Sequence, residues 1–288
     1  MAALLECVPN FSEGRNPATV EALLDSIRAA GACVLDHSLD PDHHRSVITF
    51  AGSPDAILEA AVAAAGKAAD LIDLRRHKGV HPRIGALDVL PFVPIRGISL
   101  TECAGLAVRA AERIWDLHRV PAFLYEAAAR LPERTNLAAI RRHPPGKPDI
   151  GDALHPTAGA VAIGARNFLI AYNVNLTGGS LAAARRIAAR VRESSGGLPC
   201  VKALGLPLAS RGLLQVSMNL TNFEVTPMHA AFHAVNSAAE KEGMQIVESE
   251  LIGLIPRRAW EFSAAYELKL SRTDPDAIIL ENRIAALK

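Results

Sequence analysis

Two histidines, two basic residues and an aspartate fall within twelve positions at His77, Lys78, His81, Arg83 and Asp88. Imidazole titrates near neutral pH and both takes and gives a proton, while the cations grip anions and the carboxylate holds a cation. Gly79, Pro82 and Gly85 interrupt helical periodicity every three residues, which predicts a tight loop running into an apolar strand, Leu87 to Ile95. The same stretch also reads as an ordinary solvated loop. The spacing of His77 and His81 aligns two rings for a metal only in a helix, which Gly79 and Pro82 oppose, so no metal site is expected.

The elements that must carry this loop follow from periodicity. A short apolar strand, Leu4 to Phe11, precedes a polar loop, and a helix begins at Pro17 with Val20, Leu23, Leu24 and Ile27 on one face. Strands at 33–36 and 45–50 flank a polar turn over 37–44, and a helix capped by Ser53 runs to about Ile72. With the strand from Leu87 the order is strand, helix, strand, strand, helix, strand. Residues 168–176, 181–193, 200–206, 213–220, 227–242 and 245–255 repeat it. A helix at 100–118, a strand at 122–125, a short helix near 134–141 and a Pro/Gly-rich linker from His143 to Gly151 lie between the halves. Two helices follow Arg257, with Trp260, Phe262 and Tyr266 expected to pack. The expectation is an α+β fold of two ferredoxin-like (βαββαβ) subdomains, 1–166 and 167–288, whose bare sheet faces meet across a ligand tunnel.

Half of the 288 residues are apolar, and 31 basic against 30 acidic residues leave a formal charge of +1. That balance argues against nucleic acid or an anionic membrane as the main partner. The four cysteines, Cys7, Cys33, Cys103 and Cys200, form no CxxC and read as buried thiols of a reducing compartment. The N-terminus lacks a basic leader region and no apolar run is long enough to span a bilayer, so a soluble, cytoplasmic protein is expected.

Five segments together, Glu6 to Gly14, Arg45 to Gly52, His77 to Pro94, Pro148 to Arg166 and Asn219 to His229, resemble the glutamate formimidoyltransferase family. This family also forms the N-terminal part of formimidoyltransferase-cyclodeaminase. The resemblance runs from about Leu4 to Ile255. It implies transfer of a formimidoyl group from N-formimidoyl-L-glutamate to N5 of tetrahydrofolate in histidine breakdown. It further implies folate as co-substrate in a tunnel between two subdomains, a homodimer, and no cyclodeaminase activity. The family's catalytic histidine lies in an HPR tripeptide, here His81, and its folate loop matches Gly151, Asp152, Ala153, Leu154, His155, Pro156, Thr157, Ala158 and Gly159. The chain departs from the family pattern at Ser38, His44 and Asp152, which bears on ligand contacts and on the donor.

The donor's amidine is largely protonated near neutrality, so its carbon is already electrophilic and carboxylates are needed beside it. Asp36, Asp40 and Asp88 are the candidates, and Asp88 serves equally as a cap where its strand begins. His81 is the candidate proton shuttle. Arg45, Lys78, Arg83 and Arg166 are candidates to hold the carboxylates of glutamate and folate, each also readable as a surface ion-pair partner. A formyl in place of a formimidoyl donor, and a folate-binding sensor without turnover, remain the competing readings.

Overall fold

The computed structural model describes residues 2–141 and 146–286. The chain divides into two compact units, Met1–Asn167 and Phe168–Lys288. In the first, β1 (Leu4–Cys7), β2 (Asn10–Phe11), α1 (Pro17–Ala29), β3 (Cys33–Asp40), β4 (Arg45–Gly52), α2 (Pro54–Leu71) and β5 (Leu87–Arg96) are followed by α3 (Leu100–His118), β6 (Ala122–Glu126), α4 (Leu137–Ile140) and β7 (Val161–Ala165). Side-chain caps start the longer helices. Asn16 and Ser53 accept backbone N–H bonds ahead of Pro17 and Pro54, and Ser99 with Glu102 forms a reciprocal capping box on α3.

Six strand segments sit in the order β1-β4-β2-β5-β7-β6, with β3 on the outside of β4. Pairings among β1 to β5 are antiparallel, whereas β7 lies parallel to both β5 and β6. Leu23, Ile27, Ile57, Ala61, Ala107 and Ile114 from the helices pack on Leu5, Phe50, Leu90, Phe92 and Ile163 from the sheet. A smaller apolar cluster, Val89, Phe123, Tyr125, Ile140, Ala160 and Ala162, forms around α4. Burying Ile140 there stabilises the docking of this four-residue helix by about 1.5–3 kcal/mol. The Arg134–Asp149 ion pair, 2.6 Å long and almost buried, braces the preceding turn.

The second unit contains β8 (Ile170–Thr177), α5 (Leu181–Val191), β9 (Val201–Leu208), β10 (Leu213–Leu220), α6 (Met228–Lys241) and β11 (Gln245–Ile252), then the short helices α7 (Arg257–Glu261), α8 (Pro275–Ile278) and α9 (Leu280–Ala285). Its sheet runs β11-β8-β10-β9, antiparallel throughout. Ile187, Val191, Phe232 and Val235 from the helices pack on Tyr172, Val174, Val216 and Met218.

The α+β class is as expected, and several details differ. The first unit's sheet has seven strand segments rather than four, because β6 and β7 extend it past β5 and the first strand is split in two. The first strand is broken into β1 and β2 at Val8-Pro9, where proline lacks the N–H a ladder needs. β3 continues past Asp36 to Asp40, so His37 and Ser38 belong to the strand and the turn is confined to residues 41–44. The helix expected near 134–141 is a 3₁₀ turn at Pro132–Arg134 followed by α4. Cys7 and Cys103 are buried, but Cys33, the first residue of β3, is exposed and Cys200, just ahead of β9, is half-buried. Trp260 packs against the core of the second unit as expected, while Phe262 and Tyr266 pack on Phe223 and His229 and remain partly exposed. The linker expected from His143 to Gly151 falls in part outside the described residues.

Candidate active site

The loop between α2 and β5 lies on the β3–β4 turn. Arg83 holds the two together, donating to the carbonyls of His43 (2.8 Å), His44 (3.0 Å) and His81 (2.9 Å). Gly79 is required at this contact, because a Cβ there would collide with the His43 carbonyl, the Arg83 guanidinium and His44. On the other side of the turn Gly14 meets the backbone of Asp40 and Arg45 just as closely, so only glycine fits. Replacing Gly79 by alanine is expected to displace the loop and lower kcat at least about tenfold, the usual result of misplacing a reacting group. Thermal unfolding, read alongside, should move little, because residues 78–80 are exposed.

Inside this frame Asp88, almost wholly buried at the start of β5, is the hub. One oxygen accepts the Ile84 N–H at 2.8 Å, and the other accepts from Arg45 at 3.0 Å and Arg141 at 2.5 Å. Asp88 is thus the strand-start cap that its position allowed, and it also pairs with two arginines that the spacing did not tie to it. Arg45, the first residue of β4, also donates to Asn10 Oδ1 at 2.6 and 2.9 Å and reaches Nδ1 of His81 at 2.8 Å. Arg141 arrives from far along the chain because Ile140 anchors α4 in the cluster containing Val89, the neighbour of Asp88.

The charges do not cancel: two guanidinium groups share one carboxylate beside an imidazole. Burial, and then Arg141 and Arg83, pull the Arg45 pKa down to about 10 against the opposing pull of Asp88. Burial raises the Asp88 pKa, but Arg141, Arg45 and the Ile84 N–H outweigh it and hold the carboxyl below its ordinary value. Burial, then Arg45 and Arg141, lowers the His81 pKa well below that of free imidazole, so the ring is neutral at neutral pH.

His81 Nδ1 has two competing partners at 2.8 Å, Arg45 and the carbonyl of Pro82. Arginine only donates and a carbonyl only accepts, so each partner selects one tautomer. With the proton on Nδ1 held by Pro82, Nε2 carries the lone pair. Close by, His43 lies 5.8 Å from His81 ring to ring, and His77 packs on His44 at 3.9 Å. Burial and Arg83 push the His77 pKa down to about 4.

The other candidates are dispersed. Asp40 stands opposite Arg45 across the β3–β4 ladder and accepts the His43 N–H at 2.8 Å. Asp36 lies further along the same face, opposite Thr49. Lys78 is exposed on the loop. Arg166 is bound to the Asn167 carbonyl at 2.9 Å and to the Tyr125 hydroxyl; none of its contacts among the described residues reaches the His81 cluster.

The Gly151–Gly159 segment is brought to the His81 loop. Ala86 donates to the Ala158 carbonyl (2.8 Å), Ala160 to that of Ile84 (3.0 Å) and Leu74 to that of Thr157 (2.9 Å). His155 Nδ1 accepts the Ala158 N–H at 3.0 Å and fixes the turn, which leaves Asp152, Ala153, Leu154 and Pro156 exposed. Arg141 and Asn10 were not among the sequence candidates. Asn10 lay within a segment that carried the resemblance, but nothing in the spacing tied Arg141 to a carboxylate more than fifty residues away.

Family models for the formiminotransferase domain match both units, the N-terminal subdomain over residues 4–166 and the following domain over 171–283. The chain belongs to the formiminotransferase family. It is 42% identical to a glutamate formimidoyltransferase of Streptococcus pyogenes, with 99% of each chain covered. A glutamate formimidoyltransferase of Thermoplasma acidophilum is 40% identical over 98% of this chain and 97% of its own. The rat formimidoyltransferase-cyclodeaminase is 40% identical over 92% of this chain, which corresponds to 52% of the longer protein. Among the described residues no group of three or more His, Cys, Asp or Glu side chains is placed to hold a metal, and no helix is long and apolar enough to cross a membrane.

Proposed function

We propose that the protein is a glutamate formimidoyltransferase that moves the formimidoyl group of N-formimidoyl-L-glutamate to N5 of tetrahydrofolate, a step of histidine degradation. The observation that carries the reading is a neutral imidazole, His81, seated beside a buried cluster with more cation than anion. N5 attacks the amidinium carbon and becomes cationic and acidic, so even a weak base removes its proton. His81 Nε2 takes that proton while Pro82 holds the one on Nδ1. The resulting imidazolium lies against Arg45 and is a strong acid, so it passes the proton to the departing nitrogen of glutamate as the old C–N bond breaks. The depressed pKa therefore favours the second transfer.

The α-carboxylate of the donor is two bonds from the nitrogen that leaves, so a cation near His81 is where it is needed. Arg141 fits this role: its Nε is buried without a hydrogen-bond partner among the described residues. Arg45 shares the carboxylate-binding role, Arg83 positions the loop, and Asp36, Asp40 and Asp88 act on the amidinium or on the cations around it. Lys78 and Arg166 are assigned to the outlying carboxylates, and Gly151 to Gly159 to the folate. The ferredoxin-like description of each unit, the 1–166 and 167–288 division, the folate tunnel, the homodimer and a cytoplasmic location belong to the same proposal.

Purified protein mixed with tetrahydrofolate and formimidoylglutamate should release glutamate and form 5-formimidoyltetrahydrofolate; no release with this pair overturns the reading. Arg141→Met keeps the Arg45–Asp88 pair and removes one charged grip, worth about 1.5–3 kcal/mol. The KM for the donor should rise roughly 10- to 150-fold with a smaller change in kcat, as measured by steady-state kinetics.

A further inference from the structure

Arg45 is held from two sides, by Asp88 and His81 at one end of its guanidinium and by Asn10 at the other. Asn10 opens β2, directly after the Val8-Pro9 break, and pairs with Val47 of β4. Arg45 lies two residues along β4 from Val47, so the two side chains share a face of the sheet at diagonal spacing. Asn10 Oδ1 accepts from both Nε and Nη2 of Arg45, at 2.9 and 2.6 Å. Its Nδ2 donates to the Val8 carbonyl at 2.9 Å. An arginine only donates and a carbonyl only accepts, so the amide has one orientation open to it.

With Nε and Nη2 engaged, the planar guanidinium is fixed, and Nη1 is left facing His81 Nδ1 at 2.8 Å and Asp88 Oδ2 at 3.0 Å. A carboxylate would be the stronger partner for that edge, because it accepts two parallel N–H bonds and carries charge. Position 10 holds the uncharged isostere instead. The consequence lies in the balance of charge around the ring. Arg45 from β4 and Arg141 from the end of α4 face His81 and oppose its protonation, and His43 of the β3–β4 turn adds to them. Arg83 of the same loop donates to the His81 carbonyl. Against these stand Asp88, which Arg45 and Arg141 share, and Asp40, whose carboxylate lies 3.8 Å from His43 Nδ1. A further carboxylate at position 10 would balance the second arginine and let a proton stay on His81.

We propose that Asn10 is a positioning residue for the transfer: a neutral amide that fixes Arg45 against His81 without cancelling its charge, and so keeps the protonated ring a ready donor to the departing nitrogen. As a role in the transfer this rests on the formimidoyltransferase reading. The control of His81 by Asn10 through Arg45 stands on the geometry of the first unit.

The test uses the full chain with isotope-labelled histidine, whose ring signals report ionisation without any substrate. Wild type, Asn10→Asp and Asn10→Ala are compared, and the His81 signal is identified by its loss from His81→Ala. In Asn10→Asp protonated His81 should become a weaker acid by at least about tenfold, because a full charge joins the same cluster. The acid limb of the kcat/KM profile should rise by the same interval. Asn10→Ala adds no charge and frees one edge of Arg45, so the KM for formimidoylglutamate should rise at least about tenfold, more than kcat falls. A His81 titration unmoved in Asn10→Asp overturns the proposal, even where activity drops, since a merely structural residue would lower activity without moving the ring. Kinetics of Asn10→Ala equal to wild type overturn it as well, and this arm decides alone where the aspartate variant does not fold. Wild-type turnover with an unmoved titration removes Asn10 and leaves the transferase reading standing. A shifted titration without wild-type turnover does the reverse: the transferase reading falls and the control of His81 by Asn10 remains.

Discussion

Replacing His81 by alanine is expected to slow formimidoyl transfer by about 10²- to 10⁴-fold, the usual contribution of a positioned acid–base group. The loss should appear in kcat and kcat/KM together, because the ring acts on protons that move only after the carbon is attacked. The sign of the pH dependence follows from the depressed pKa. Below that pKa the ring is charged and Nε2 has no lone pair, so activity falls as pH falls. Since burial, Arg45 and Arg141 place the pKa well under that of free imidazole, the acid limb of the wild-type kcat/KM profile should lie below about pH 6.5. A limb centred at or above that value would contradict the assignment. The limb should vanish from the residual activity of His81→Ala. Activity equal to wild type in that variant would remove His81 from the mechanism.

Asp88→Asn is expected to have the largest effect on folding. The carboxylate is almost fully buried, and removing its charge leaves Arg45 and Arg141 facing one another without compensation. Breaking a buried ion pair from one side costs about 3–5 kcal/mol, and denaturant unfolding should register a loss of that order. The pH dependence carries the same signature. The folded-state pKa of Asp88 is depressed, so its contribution is fully present above the unfolded carboxyl pKa and is lost as pH falls through the lowered folded value. Wild type should therefore lose stability on acidification, and Asp88→Asn should lose less over that window. Removing Arg141 together with Asp88 should recover part of the loss, because the unpaired cation disappears with its partner.

The parts of the fold that could be read beforehand are those set by local physics. Pro17 behind Asn16, Pro54 behind Ser53 and the Ser99–Glu102 box announce helices because a cap and its first turn are adjacent in sequence. The loop carrying His81 was legible for the same reason: Gly79, Pro82 and Gly85 forbid the alternatives. β7 was not legible. Val161–Ala165 is five buried residues, Val-Ala-Ile-Gly-Ala, without polar alternation, and its pairing partners, β5 and β6, lie well back in the chain, so no local pattern marks it. The tail of β3 was missed because His37, Ser38 and Asp40 look like turn residues until the ladder with β4 supplies their backbone partners. At the site, the ring was visible and its electrostatics were not. Asn10, Arg45, Asp88 and Arg141 become neighbours only through tertiary packing, and His81 owes its depressed pKa to that packing.

The position of β7 also bears on synthesis. The last strand of the first unit to leave the ribosome is an interior strand of the finished sheet, parallel to a neighbour on each side. Until residue 165 emerges, β5 presents an open hydrogen-bonding edge and β6 has no neighbour, a template for pairing with other nascent chains. Fragments that stop short of Val161 should aggregate, and pulse-labelled chains should gain protease resistance in one late step rather than gradually as they lengthen.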